Sequence, residues 1–140
     1  MKVKIKLIQG GKLPVFKTEG AACADCYARL DDLLCIQSGS RATVPLGFAV
    51  ELPHGYELQI RPRSGLSKNG IDVAFGTGDE DYTGEYAATI INNSNNVFTI
   101  KNGDRICQCG IREVPEIAFD IVDEIKTTER GDKGFGSTGV

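Results

Sequence analysis

The chain has 140 residues, 41% of them hydrophobic and 25% charged, which suits one globular domain able to bury a core without disulfides or structural metal. A formal net charge of −3 argues against non-specific nucleic-acid binding, which needs a basic face, but allows an anionic small ligand held by a few arginines. No apolar run is long enough for a signal peptide or a membrane span. The five cysteines, an odd number, read as free thiols in a reducing compartment, so the expected location is the cytosol.

The first element alternates: Val3, Ile5 and Leu7 point one way and Lys2, Lys4 and Lys6 the other, the period of a half-buried strand. The period returns at 41–52 and at 56–61, where Tyr56, Leu58 and Ile60 alternate with Glu57, Gln59 and Arg61, and more weakly at 86–92, 97–101, 105–111 and 117–122. Turn-forming residues separate these runs at Ser38-Gly39, Pro53-His54-Gly55, Asn92 to Asn96, and Asn102-Gly103-Asp104. A single short helix is predicted from near Ser64 to a C-cap at Asn69-Gly70. The pattern predicts an all-β, jelly-roll-like antiparallel barrel or sandwich with one short helix. The body is expected over 1–126. The glycine-rich stretch 127–140 is too poor in apolar groups to order itself and is expected to be a flexible C-terminal arm that completes an active site.

Four segments carry chemistry-bearing residues. Arg61 to Ile71 brings two arginines to the start of the helix, where unpaired N–H groups, the Ser64 hydroxyl and the bare backbone of Gly65 suit a phosphate; a helix flanked by surface arginines is the alternative. Gly76 to Glu85 sets acidic residues and Tyr82 on a hairpin between strands near 71–75 and 86–92. A carboxylate there can take a proton from water, or the hairpin is simply a solvated acidic turn. In Gly103 to Gly110, Ile106 and Gln108 share one face while Arg105, Cys107 and Cys109 share the other, so Gln108 orients something in a pocket or pairs with backbone. The tail offers Arg130, Phe135, Ser137 and Thr138 among glycines, a mix suited to a flap over a nucleotide or to terminal disorder.

Together with Gly20 to Ala28, these segments resemble the five ordered motifs of the trimeric dUTPase family, most closely at Pro62-Arg-Ser-Gly-Leu66 and Gly134-Phe-Gly-Ser-Thr-Gly139. The resemblance implies a homotrimer with shared active sites that cleaves dUTP to dUMP and pyrophosphate with Mg²⁺. It implies that Asp79 is the general base activating water at the α-phosphorus and that Tyr82 packs on the deoxyribose. Backbone at Gly76, Thr77, Gly78 and Ala87 would read uracil, and Arg63, Ser64 and Gly65, with Gln108 beside them, would hold the phosphates. Arg130 would reach the γ-phosphate. Phe135 would cover the base, with Gly136, Ser137 and Thr138 in the same flap. Asp25 would meet Mg²⁺ through water. Chains of this fold also serve as nucleotide-dependent regulatory partners or as dCTP deaminases; the intact hairpin and flap favour the phosphohydrolase.

The chain departs from the family where bulky aliphatic residues usually precede the base: it has Thr77 and Gly78, so a looser backbone is expected before Asp79. Cys23 and Cys26 invite a metal reading, but residues three apart on a strand face opposite sides, and small buried hydrophobes are the expectation for these thiols. His54 is expected to be an exposed turn residue.

Overall fold

A computed structural model describes residues 1–134. Among them are eleven strands and one four-residue helix: β1 Lys4–Leu7, β2 Ala24–Tyr27, β3 Leu34–Ile36, β4 Arg41–Pro45, β5 Phe48–Glu51, β6 Tyr56–Arg61, α1 Ser64–Ser67, β7 Ile71–Val73, β8 Gly76–Gly78, β9 Ala87–Asn92, β10 Phe98–Ile100 and β11 Arg105–Glu113. All pairings are antiparallel, in sheets ordered β2-β11-β6-β8, β4-β9-β7, β1-β5 and β10-β3. This is the expected all-β, jelly-roll-like fold.

The core joins the sheets through Val44, Leu46, Phe48, Leu58, Ile90, Ile100 and Ile106, each no more than 1% exposed. The run at 41–52 is split in two because Gly47 adopts φ 73°, and its backbone packs so closely on Gly11 that a Cβ on either residue would collide with the other. On β11 the register slips between Arg105 and Cys107. That bulge breaks the two-residue alternation, so Ile106 and Cys107 are both buried instead of facing opposite sides.

Two apolar runs behave differently from their periodicity. β1 pairs with β5, and Lys4 Nζ lies 2.7 Å from Glu51, yet Ile5 and Leu7 remain exposed because nothing among the described residues covers that face. Residues 117–122 form no strand. Val114 N–H donates to Gly55 O at 2.8 Å, but among the described residues no strand pairs with 117–122, and Ile117, Phe119 and Ile121 are 69%, 96% and 97% exposed.

Candidate active site

The candidate base is positioned by strand pairing. β8 lies against β6 with Gly76 opposite Ile60 and Gly78 opposite Leu58, which sets Asp79 at the free end of β8. Its carbonyl accepts the Tyr82 N–H at 3.1 Å, closing a turn and leaving the side chain exposed. Beside it opens a cavity of about 310 Å³ lined by Ile60, Gly76, Thr77, Gly78, Asp79, Tyr82, Glu85, Tyr86 and Ala87. That volume is at the lower end of ligand sites and suits a nucleoside-sized group.

Aromatic rings pack this loop from within. Tyr82 donates its hydroxyl to Glu85 O at 2.8 Å and meets Tyr86 edge-on, with centroids 5.2 Å apart. Tyr86 in turn stacks on Phe48 at 5.6 Å. Gly78 is buried under Tyr86, and a Cβ there would fall 2.7 Å from Cζ and closer still to Oη. The glycine makes room for a ring.

Glu85 anchors the loop to the body. Arg29 grips its carboxylate with two bonds, Nε to Oε1 at 2.7 Å and Nη2 to Oε2 at 2.9 Å, and the Gly47 N–H adds a third at 3.0 Å. Arg29, and then the Gly47 amide, hold this carboxyl below the usual carboxylate range against the opposing effect of burial. On the other side, His54 Nδ1 lies 2.9 Å from Glu80 Oε1, and Gly55 N–H donates to Glu80 Oε2 at 2.6 Å. Glu80 raises the imidazole pKa, and the imidazole lowers that of Glu80. His54 is exposed as expected, but it ties the residue after Asp79 to the 53–55 turn.

A second cluster forms where β2, β6 and β11 meet. Arg63 Nε and Arg105 Nη1 each lie 3.0 Å from a different oxygen of Asp25, whose side chain is only 12% exposed. Arg63 also donates Nη1 to Arg105 O at 3.0 Å. Leu66 and Ser67 N–H both turn back to Arg63 O at 3.0 Å, starting α1 and leaving Ser64 and Gly65 exposed at its head. Gly70 closes the turn with φ 79°. Gln108, in register with both Asp25 and Arg61, donates to Pro62 O at 2.8 Å. This bond is the backbone pairing of its two readings, and through it the amide fixes the turn before Arg63. Arg61 folds back along β6, its Nε 2.9 Å from Gln59 Oε1.

Beneath this cluster Cys26, Cys107 and Cys109 are buried. Contact with Cys107 and burial push the Cys26 thiol up, and contact with Cys26 and burial do the same for Cys109, so these act as neutral apolar groups. Cys23 is half-buried and Cys35 exposed.

The chain brings Asp25, Arg63, Ser64, Gly65 and Gln108 to one region, and Asp79, Tyr82, Ala87 and the backbone of 76–78 to another. None of the first group lines the Asp79 cavity. Arg130 sits in the exposed segment after β11, its Nε 3.0 Å from Lys133 O. Phe135, Gly136, Ser137 and Thr138 lie outside the described residues. Sequence reasoning missed Arg29, Arg105, Tyr86 and the Glu80–His54 contact. Arg29 and Glu85 are 56 positions apart, and no local pattern links them.

The site thus combines a jelly-roll-like β body, an acid beside a nucleoside-sized cavity and, apart from it, an arginine-bearing turn. The dUTPase family model matches residues 10–139. The deoxyuridine 5'-triphosphate nucleotidohydrolase of Treponema denticola is 47% identical over 143 residues, covering 100% of this chain and 99% of that protein. Among solved structures, a mutant dUTPase of Staphylococcus bacteriophage 80alpha with dUpNHpp is similar in fold, with TM-score 0.90, 23% identity and 99% of each chain covered. A mutant dUTPase from phage phi11 of S. aureus, described for its coordination of a structural Mg(II) ion, has TM-score 0.82 and 18% identity, covering 91% of this chain and 100% of that one. The chain belongs to the dUTPase family.

Proposed function

We propose that the chain hydrolyses dUTP to dUMP and pyrophosphate, with Asp79 as the general base that draws a proton from the water attacking the α-phosphorus. The observation that carries this reading is the Asp79 carboxylate on the rim of a cavity shared with Tyr82 and the bare backbone of 76–78. Tyr82 packs against the deoxyribose, where a 2′-hydroxyl would clash. Backbone groups around Gly76, Thr77, Gly78 and Ala87 pair with the uracil edge, so a mispaired base would leave buried polar groups unsatisfied. Arg63, Ser64 and Gly65 hold the phosphates on a turn steadied by Gln108. Arg130, Phe135, Gly136, Ser137 and Thr138 close over the nucleotide as a flap.

The donors present fit Mg²⁺ only through water. Both Asp25 oxygens are engaged by arginines, and no three His, Cys, Asp or Glu side chains cluster as a metal site among the described residues. Such a cation, held mainly by the triphosphate, would supply charge neutralisation, with Asp25 meeting it through its hydration shell.

Two observations support a homotrimer with shared sites. The Asp79 cavity and the Arg63 turn are separate within one chain, so a copy contributing each would complete a site. The unpaired apolar arm at 117–125 and the apolar cavity of about 380 Å³ lined by Val3, Ile5, Phe48 and Val50 offer complementary surfaces between copies. No helix among the described residues is long and apolar enough to cross a membrane, and five free cysteines support a reducing compartment, the cytosol.

The test is pyrophosphate release from each deoxynucleoside triphosphate and from UTP, with and without Mg²⁺. Turnover of dUTP should far exceed the others. Asp79→Asn should lower kcat by about 10³-fold while dUTP still binds; a fully active variant would exclude Asp79 as the base.

A further inference from the structure

Tyr86 is 5% exposed and wedged in the wall of the Asp79 cavity, on the side nearest the body. Phe48 stacks on its ring with 15° between the planes, and Tyr82 meets it at 88°. Its main chain is pinned by Leu46 N–H to Tyr86 O and by Tyr86 N–H to Phe48 O, both 2.9 Å. The ring has little room to move, so the backbone at 78 must accommodate it, and any side chain there would strike Oη, Cε1 and Cζ. Among the described residues the buried hydroxyl has no hydrogen-bond partner, and desolvation pushes its pKa up to about 12, so it stays protonated. What packs the loop is the ring and length of this tyrosine.

We propose that Gly78 and Tyr86 are a size-matched positioning pair in which the ring sets where Asp79 and Tyr82 stand against the bound nucleotide, and thereby the choice of deoxyribose over ribose. The inference rests on the reading of Asp79 as base and Tyr82 as the sugar-facing ring. Asp79 is bonded directly to Gly78, so any shift of β8 carries the carboxylate with it. Tyr82 is held from two sides, by its hydroxyl bond to Glu85 O and by the Tyr86 ring. A displacement of about 1 Å in such groups is enough to cost orders of magnitude in rate.

The pair is tested by exchanging knob and hole in the full-length protein. Tyr86→Phe keeps the ring and should hold kcat within about threefold of the parent, with an equal or higher melting temperature. Tyr86→Leu should lower kcat about tenfold with little change in KM and should weaken the preference for dUTP over UTP about fivefold. Gly78→Ile should be worse, and Gly78→Ile combined with Tyr86→Leu should recover most of the rate and the preference relative to either single change. A Tyr86→Leu protein that loses melting temperature alone, with parental kcat and dUTP preference, would overturn the pairing, as would a double variant whose losses simply add. If Gly78→Ile fails to fold, the Tyr86→Phe and Tyr86→Leu pair decides by the same readouts. A parent protein inactive on dUTP would instead sink the Asp79 reading, an outcome distinct from an active parent with an indifferent Tyr86→Leu variant.

Discussion

The Asp79 loop and the Arg63 turn lie on neighbouring strands of one sheet, yet they are held by different physics. The loop is packed: three stacked or edge-on rings, Gly78 and Gly84, which leave room for Tyr86 and Tyr82, and a carboxylate gripped by Arg29 and the Gly47 amide. The turn is charged and open, with Ser64 and Gly65 exposed and Arg63 pairing with Asp25. A packed wall suits recognition of base and sugar, which is a matter of shape. An open cationic turn suits phosphates, which arrive with charge and rearrange the ion pairs they meet. On the proposed reading these are the two halves of a site, and one chain does not place them around one cavity.

The strongest way to break this comparison is complementation. Asp79→Asn and Arg63→Ala should each abolish most activity, by about 10²- to 10³-fold in kcat/KM, the first through kcat and the second mainly through KM. Mixed at equal amounts through a refolding step, the two inactive proteins should regain about a quarter of the parental rate if each site draws its halves from different copies of a trimer. No recovery in verified mixed oligomers would assign both halves to one chain.

Glu85→Gln sharpens the packed side. It should lower the melting temperature by about 3–5 °C at neutral pH and reduce kcat more than it raises KM. Because the folded pKa of Glu85 lies below its unfolded value, its contribution is complete above the ordinary carboxylate range and is lost as pH falls through the lowered value. The variant should therefore show a flatter acid limb in melting temperature against pH, and an unchanged limb would disconnect Glu85 from acid stability.

A smaller effect is expected from Gln108→Ala, which frees Pro62 O and should raise KM for dUTP about threefold while sparing the melting temperature to within about 2 °C. An equal loss in kcat alone would argue that the amide acts on the chemistry instead of on the turn. Smallest is His54→Ala. The folded imidazole pKa is raised, so the tie to Glu80 is full below the ordinary histidine range of about 6.5 and fades as pH rises through the raised value. The variant should differ from its parent by less than about twofold in rate, and only on the acid side. A difference confined to alkaline pH would contradict the assigned direction.

Much of this was legible from local pattern. The strand at 56–61, the start of the short helix at Ser64, and the turns at 53–55 and 102–104 follow from two-residue alternation and from glycine, proline and asparagine at turns, whereas the helix ends at Ser67, capped by Lys68 and not by the expected Asn69-Gly70. The candidate residues could be picked out because their motifs are short and contiguous. The reading failed where a local period met a non-local partner. The bulge after Arg105 turned both Ile106 and Cys107 inward, the 117–122 run pairs with no strand among the described residues, and the space beside Gly78 is taken by a ring eight positions further on.

Residue type and order alone therefore determined the β class, the turn positions and the family to which the chain belongs, since those depend on neighbours within a few positions. Only the tertiary structure decided that Asp25 holds two arginines, that Arg29 reaches Glu85, and that the Asp79 cavity and the Arg63 turn stand apart. Such contacts join residues tens of positions apart, and which side chains meet there is set by strand register and by the volume left between sheets, quantities that no short stretch of sequence contains.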